Sequence, residues 1–298
     1  MTSAPVEVIA FALVPAILWG FTPILDKRGM AAGGTSLQAS LVLVCVDSTL
    51  YWILIATLRG GSAFSGLTTE ALAAFVFAGA IGSSIGRIVI FVGVDRVGAS
   101  LNSAILSSRP LFATLIALVW LGEPLGPVTA VGVVVLVAGL ATLAVSKGGD
   151  LGGWEPRDLV WPILAAAFFA LANVARRYGL TGASVSALEA VAINETTGLA
   201  VLVGYLAVTR GRDALRVPRE SYTYFAGSGL LTTVAMVALM TALGLEDGRI
   251  ALVDPLVATA PLFTVVFAAV LLRDVERVTR GVVAGAALIV VGAALITL

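Results

Sequence analysis

Five charged side chains sit inside runs of apolar sequence long enough to cross a bilayer: Asp47, Arg87, Arg109, Glu195 and Asp254. A charge near the bilayer centre costs about 2.5–3.5 kcal/mol on insertion scales, so such residues face a cavity or a partner and are candidates for function by default. Two chemistries suit them. A carboxyl that takes up and releases a proton as a cavity changes side is what proton coupling requires. An acid and an arginine facing one cavity equally suit the ammonium and carboxylate of an amino acid. The structural alternative is a set of internal ion pairs that only fix helix packing. Three acids against two bases leave one excess negative charge, which low dielectric disfavours, so one carboxyl is expected to hold a proton.

Arg109 is followed directly by Pro110, and Asn102 lies seven residues earlier, two helical turns away on the same face. Proline frees a backbone carbonyl one turn back, which is tolerated at membrane depth only where protein or cavity water satisfies it. Asn102 and Arg109 are therefore expected to face something polar. Trp19 and Trp52 lie deeper than the interfacial Trp120, Trp154 and Trp161, and either could stack on a substrate or simply pack. The candidate site is thus Asp47, Arg87, Asn102, Arg109, Glu195, Asp254 and Trp19. Glu123 reads as a loop or cap residue before Pro124, Glu189 as interfacial, and Cys45 as a small buried hydrophobe.

The elements that must position these residues follow from composition. The 298 residues are 59% hydrophobic and 12% charged, with a mean hydropathy of +1.05. About 25% charge is ordinary for a soluble domain, so this chain reads as a polytopic membrane protein. Zero net charge gives no sign of a nucleic-acid partner. A single cysteine rules out a disulfide within the chain. The absence of histidine removes histidine metal sites, serine–histidine catalysis and histidine proton relays together. No enzyme activity, cofactor or metal is expected. Gly148-Gly149-Asp150 falls in a linker, not in a helix, which argues against an intramembrane aspartyl protease. The first apolar segment lacks a preceding basic run and a cleavage site, and reads as a retained helix.

Ten segments have spanning length, since about 20 apolar residues cross the hydrocarbon: Val8–Leu25, Leu37–Leu58, Ala71–Val94, Ala99–Leu121, Pro127–Ser146, Leu159–Tyr178, Ser184–Val208, Tyr222–Leu245, Ala251–Leu272 and Gly281–Leu298. All read as helices, because lipid leaves only helices or closed barrels and no alternating pattern occurs. Residues 147–158, rich in glycine and charge, read as the link between a first unit (1–146) and a second (159–298). In the third segment Gly79, Gly86 and Gly93 recur at heptad spacing, and Gly82–Gly86 forms a small-xxx-small step that admits another backbone. The fifth and tenth segments carry glycines and no polar interior, as support or as a dimer surface.

The two units repeat one plan. Ser108-Arg-Pro-Leu-Phe recurs as Thr259-Ala-Pro-Leu-Phe at an offset of 151, and Gly122-Glu123 as Arg273-Asp274. Gly132 and Gly139 recur as Gly285 and Gly292 at 153. Gly34 and Gly182 are 148 apart, and so are Asp47 and Glu195, each followed by two hydroxyl residues. Five helices per half is an odd number, so the second half must lie inverted, the plan of secondary transporters. The cavity is expected to be lined by helices 1–4 and 6–9. Asp47 and Glu195, near the pseudo-twofold axis, are expected to face it as a pair, with Asp254 as a third candidate for the coupling proton or the substrate's cationic group. In the bland version, Ser48, Thr49, Thr196 and Thr197 merely satisfy two structural acids.

With Trp19-Gly20 in helix 1, Pro110 with Gly122-Glu123-Pro124 after helix 4, and the matching Pro261 and Asp274, the whole chain resembles the EamA-type branch of the drug/metabolite transporter superfamily. Arg273-Asp274-Val275 departs from the Gly-Glu-Pro pattern in the second half. The resemblance implies export or exchange of a small metabolite, often an amino acid or related compound, through a central cavity by alternating access. The chain is expected in the plasma or inner membrane as a multi-pass protein surrounded by lipid, with protons as a candidate coupling ion because of the buried carboxyls. A lipid-linked carrier flippase and a non-transporting scaffold are the alternatives. Orientation divides the signals. Twelve Lys/Arg fall on the loops of one side and four on the other (Arg59, Arg176, Arg177 and Arg249), which puts both termini outside by the positive-inside rule, whereas the resemblance implies both inside.

Overall fold

The computed structural model describes residues 6–106, 108–112, 126–144, 146, 149–150, 153–209, 215–248, 253 and 256–296. The described chain is helical apart from one antiparallel pair of two-residue strands, Gly149–Asp150 against Glu276–Arg277, which ties the linker to the loop before the last helix. In chain order the helices are α1 (Val6–Ala31), α2 (Ser36–Leu58), α3 (Thr69–Val97), α4 (Ala99–Leu106), α5 (Pro127–Ala144), α6 (Val160–Thr181), α7 (Ala187–Thr209), α8 (Arg219–Gly244), α9 (Ala260–Leu271) and α10 (Arg280–Ile296). Six are long and apolar enough to cross a membrane, α1, α2, α3, α6, α7 and α8, while α5, α9 and α10 are shorter apolar helices. The expectation of ten full spans therefore rests on six here. Residues 113–125, where the fourth span would be completed, lie outside the described residues.

Local sequence explains the helix ends. Thr35 caps α2 in a reciprocal box: its hydroxyl accepts from the Gln38 N–H at 3.2 Å, and Gln38 Oε1 accepts from the Thr35 N–H at 3.0 Å. Thr68 caps α3 singly, its hydroxyl accepting from the Ala71 N–H at 3.2 Å. α3 and α4 are separated by Gly98 alone, whose φ of 89° is a conformation that glycine adopts without steric penalty.

Two helices differ in form from the continuous spans read in the sequence. Within α3, residues Gly79–Gly86 adopt wider π-type turns, a form that concentrates at functional sites. Its glycines let α3 press between α6 and α7: a Cβ at Gly82 would stand 2.8 Å from Ala172 Cβ, and one at Gly79 would collide with the Asn194 carbonyl. After α4 the chain tightens around Pro110, with Ser108 N–H bonded to Ile105 O at 2.9 Å and Leu111 N–H to Ser108 O at 3.0 Å. The second half does the same at the same offset of 151, with Thr259 to Leu256 at 3.2 Å and Leu262 to Thr259 at 3.0 Å, just ahead of Pro261. Each break lies just ahead of the repeated Pro-Leu-Phe, and Pro110 and Pro261 stand in the first turn of the helix that resumes, where the missing N–H has no helical partner to lose.

Packing mirrors the duplication. α1 lies along α8 as α6 lies along α3, α2 packs α8 as α7 packs α3, and α1 packs α9 as α6 packs α4. The pairs α2–α7 and α5–α10 are their own mates. α5 and α10 bury Leu136, Leu143, Ala286 and Ile289 against one another while Val131, Val134 and Val291 face outward. Outward valines are in their proper solvent when that solvent is lipid.

Several boundary readings shift. α1 runs on to Ala31, so Asp26 and Lys27 are inside the helix and buried; Lys27 Nζ donates to Asp95 O at 3.0 Å. Arg28 pairs with Asp274 at 2.6 Å, joining the end of α1 to the segment after α9, and this guanidinium holds the Asp274 carboxyl below the usual carboxylate range. Cys45 is exposed on the lipid side of α2, not buried. Glu189, read as interfacial, stands at the start of α7 and is buried against protein. Its side chain is 1% exposed and accepts from the Ser186 and Phe64 N–H groups at 2.7 and 2.8 Å, where it closes the start of α7 over the loop after α2.

Candidate functional site

A cavity of about 100 Å3 opens between the two halves. Its described walls come from α1, α2, α3, α4, α6 and α8 and from the two proline breaks, where Leu106 and Arg109 face Val257 and Ala260. No described residue of α5 or α10 lines it, and none of α7 does either, which departs from the expectation for helix 7. Most of the wall is apolar, including Trp19, Leu43, Phe91, Phe169 and Met236. Its charged members are Asp26, Arg87, Arg109 and Arg176.

Behind the wall lies a buried polar network. Arg87 emerges at the end of the π-type turns of α3, and its Nη1 donates to Glu195 Oε2 at 2.9 Å and to Asp47 Oδ2 at 3.2 Å. The acids sit on α2 and α7, which cross as a self-related pair, and both are fully buried. Glu195 also accepts from Ser83 Oγ at 2.6 Å and Asn194 Nδ2 at 3.0 Å, and Asp47 from Thr233 Oγ1 at 2.9 Å. Asn194 Oδ1 accepts from Arg176 Nε at 3.3 Å, and Asn173 Oδ1 from Arg176 Nη1 at 2.8 Å. The network thus runs without a break from Asp47 to Asn173, and Arg87, Arg176 and Asn173 present it to the cavity.

The structure brings together Asp47, Arg87 and Glu195, and separately places Trp19, Asn102 and Arg109 on the cavity wall. Asp254 lies outside the described residues. Asp47 and Glu195 do not themselves face the cavity; Arg87 stands between. They are satisfied by that arginine, by hydroxyls of other helices and, for Glu195, by the adjacent Asn194 amide, not by the hydroxyl residues that follow them: Thr196 accepts from Trp52 Nε1 at 2.9 Å, Thr197 donates to Ile193 O at 2.9 Å, and Ser48 Oγ has no partner among the described residues. Asn102 is buried against Gly93, and neither its Oδ1 nor its Nδ2 finds a hydrogen bond among the described residues; the same holds for Arg109 Nε.

Sequence reading missed Asp26, Asn173, Arg176, Asn194 and Thr233. Arg176-Arg177 looked like a pair ending a helix, yet the two diverge: Arg176 is 1% exposed, whereas Arg177 donates to the carbonyls of Leu243 and Leu245 at the end of α8. The available signal was Asn173 and Arg176 at i, i+3, which share a helical face. Asp26 lay one residue beyond the predicted end of helix 1, so it passed as a loop charge. Among the described residues the buried charges are four acids (Asp26, Asp47, Glu189, Glu195) and four bases (Lys27, Arg87, Arg109, Arg176). The expected single excess negative charge therefore does not describe this part of the core.

Comparison with known proteins agrees with this architecture. An uncharacterized transporter of Clostridium kluyveri is 23% identical over 134 residues, 44% of this chain and 42% of its own. A chloroplastic WAT1-related protein of Arabidopsis thaliana is 36% identical over 90 residues, 29% of this chain and 21% of its own. The chain thus spans less than half the length of these curated relatives. One solved crystal structure shares the fold at a TM-score of 0.57 and 18% identity, covering 94% of this chain and 95% of that one. The EamA-like transporter family model matches twice, at residues 7–145 and again at 158–298, one match to each half of the duplication. The chain belongs to the EamA-like transporter family.

Proposed function

We propose that this protein is a secondary transporter that moves a small polar or amphipathic metabolite, such as an amino acid, through the central cavity by alternating access between two inverted halves. The observation that carries the reading is where the cavity lies: it is bounded by the two proline-interrupted helices, with Arg109 at one break and Ala260, its neutral mate, at the other. Interrupted helices in paired positions are the hallmark of a substrate site between transporter repeats. Arg109 contacts the anionic part of the substrate, since its Nε is buried and uncommitted among the described residues. Asp47, Arg87 and Glu195 form the coupling element: two carboxylates on one guanidinium carry one net negative charge, which a proton neutralises.

Size supports a small solute. One water needs about 10–15 Å3 measured this way, so about 100 Å3 suits a solute of roughly seven to ten heavy atoms. That is too little for a lipid-linked carrier. The scaffold reading draws on the ion pairs of Arg87, but it leaves the cavity and the uncommitted Arg109 without a purpose. A screen of the purified protein against small metabolites tests the proposal, because a ligand that binds only the native state raises apparent stability. A stabilising metabolite whose effect disappears in Arg109→Gln is the expected result. A ligand that stabilises both proteins equally removes Arg109 from the site.

A further inference from the structure

We infer that Asp26 is the cation-reading residue of the cavity, opposite in charge to Arg109, and that the pair selects a zwitterion with a short apolar tail; the inference rests on the transport site proposed above. Asp26 is the only acid among the described lining residues. It is 5% exposed, and its Oδ1 has no hydrogen-bond partner among the described residues. Ser228 Oγ lies near the carboxyl but closes no hydrogen bond of acceptable geometry with it, and is itself buried without a partner. Buried polar atoms without partners are rare enough to demand an explanation, and an unoccupied ligand position supplies one. An ammonium carries three donors and no acceptor, which matches the orphaned Asp26 oxygen, with the Thr232 hydroxyl also on the cavity wall.

The other charges narrow the ligand. Arg87 is committed to Asp47 and Glu195, and Arg176 to Asn173 and Asn194. That leaves one uncommitted nitrogen on Arg109 and one uncommitted oxygen on Asp26, in a core whose described charges balance at four against four. A ligand of net charge would unbalance a low-dielectric site, whereas a zwitterion satisfies both poles and keeps it neutral. The apolar wall, including Leu43, Phe91 and Met236, takes the remaining carbon atoms.

Three probes of one shape test this: leucine, 4-methylpentanoate, which lacks the ammonium, and 3-methylbutylamine, which lacks the carboxylate. Binding to the purified full-length protein is measured by titration calorimetry for the unmodified chain, Asp26→Asn and Arg109→Gln, with a melting curve for each. Leucine is expected to bind the unmodified protein roughly tenfold to a hundredfold more tightly than either analogue, as a hydrogen-bonded charge contributes. Asp26→Asn is expected to abolish the preference over 4-methylpentanoate and keep the preference over 3-methylbutylamine; Arg109→Gln does the reverse. If Asp26→Asn folds and keeps both preferences, or if the unmodified protein binds 4-methylpentanoate as tightly as leucine, Asp26 does not read the cation, while the transport site with Arg109 stands. If no probe binds the unmodified protein, the reading of the cavity as a site for such metabolites fails, and this inference with it.

Discussion

Among the arginines that reach the cavity, Arg87 and Arg109 stand in opposite situations. Arg87 neutralises two fully buried acids, and removing it strands both. Arg87→Gln is therefore expected to destabilise the protein by about 3–5 kcal/mol, read as a lower denaturation midpoint in detergent. Arg109 is committed to no described acid, so Arg109→Gln strands none and should cost clearly less stability than Arg87→Gln while it weakens ligand binding. Asp47 and Glu195 are predicted to matter for coupling: Asp47→Asn and Glu195→Gln should each flatten the response of transport to an imposed pH gradient. Unchanged rate and pH response in both variants would reduce the triad to a brace. At this scale the sequence was informative about which residues are special and less so about how they pair. Asp47 and Glu195 were legible as mates because the duplication aligns them, but that Arg87 joins them depends on the close approach of α3 to α7, which no spacing within one helix reveals.

Helix packing turns on glycine in α3 and on the break just before α9. Gly82→Ala would place a Cβ 2.8 Å from Ala172 Cβ and 3.0 Å from Arg176 Nη2, so it should cost about 1–3 kcal/mol in the same unfolding measurement. Gly204→Ala, with nothing within 4 Å of the new atom, should be neutral or stabilise by up to about 1 kcal/mol. Equal effects would mean that the α3–α6 contact is looser than described. The glycine spacing announced this packing face in advance. The π-type turns it permits did not show in the sequence, because hydrophobic periodicity over 29 residues is the same whether a helix widens locally or not. Ends were the weakest reading: placing the end of α1 at Leu25 instead of Ala31 hid Asp26 from view.

For the whole molecule, the exchange of packing partners between halves makes two states of one architecture natural: each half can take the arrangement its mate now holds. The duplication that implies this was plain in the sequence, because it survives as paired motifs at nearly constant offsets. The cavity was not, since its walls come from residues as far apart as Trp19 and Ala260. The central claim is that this cavity opens in turn to the two sides of the membrane, and site-directed thiol labelling tests it without knowledge of the substrate. In a Cys45→Ser background, which removes the one native thiol, Met236→Cys places a probe on the cavity wall. A membrane-impermeant thiol reagent is then applied to either face of sealed vesicles that hold the protein in one orientation. Alternating access predicts that Cys at this position is labelled from both faces, and that a bound metabolite slows both reactions. Labelling from neither face, or from one face under every condition, would contradict it.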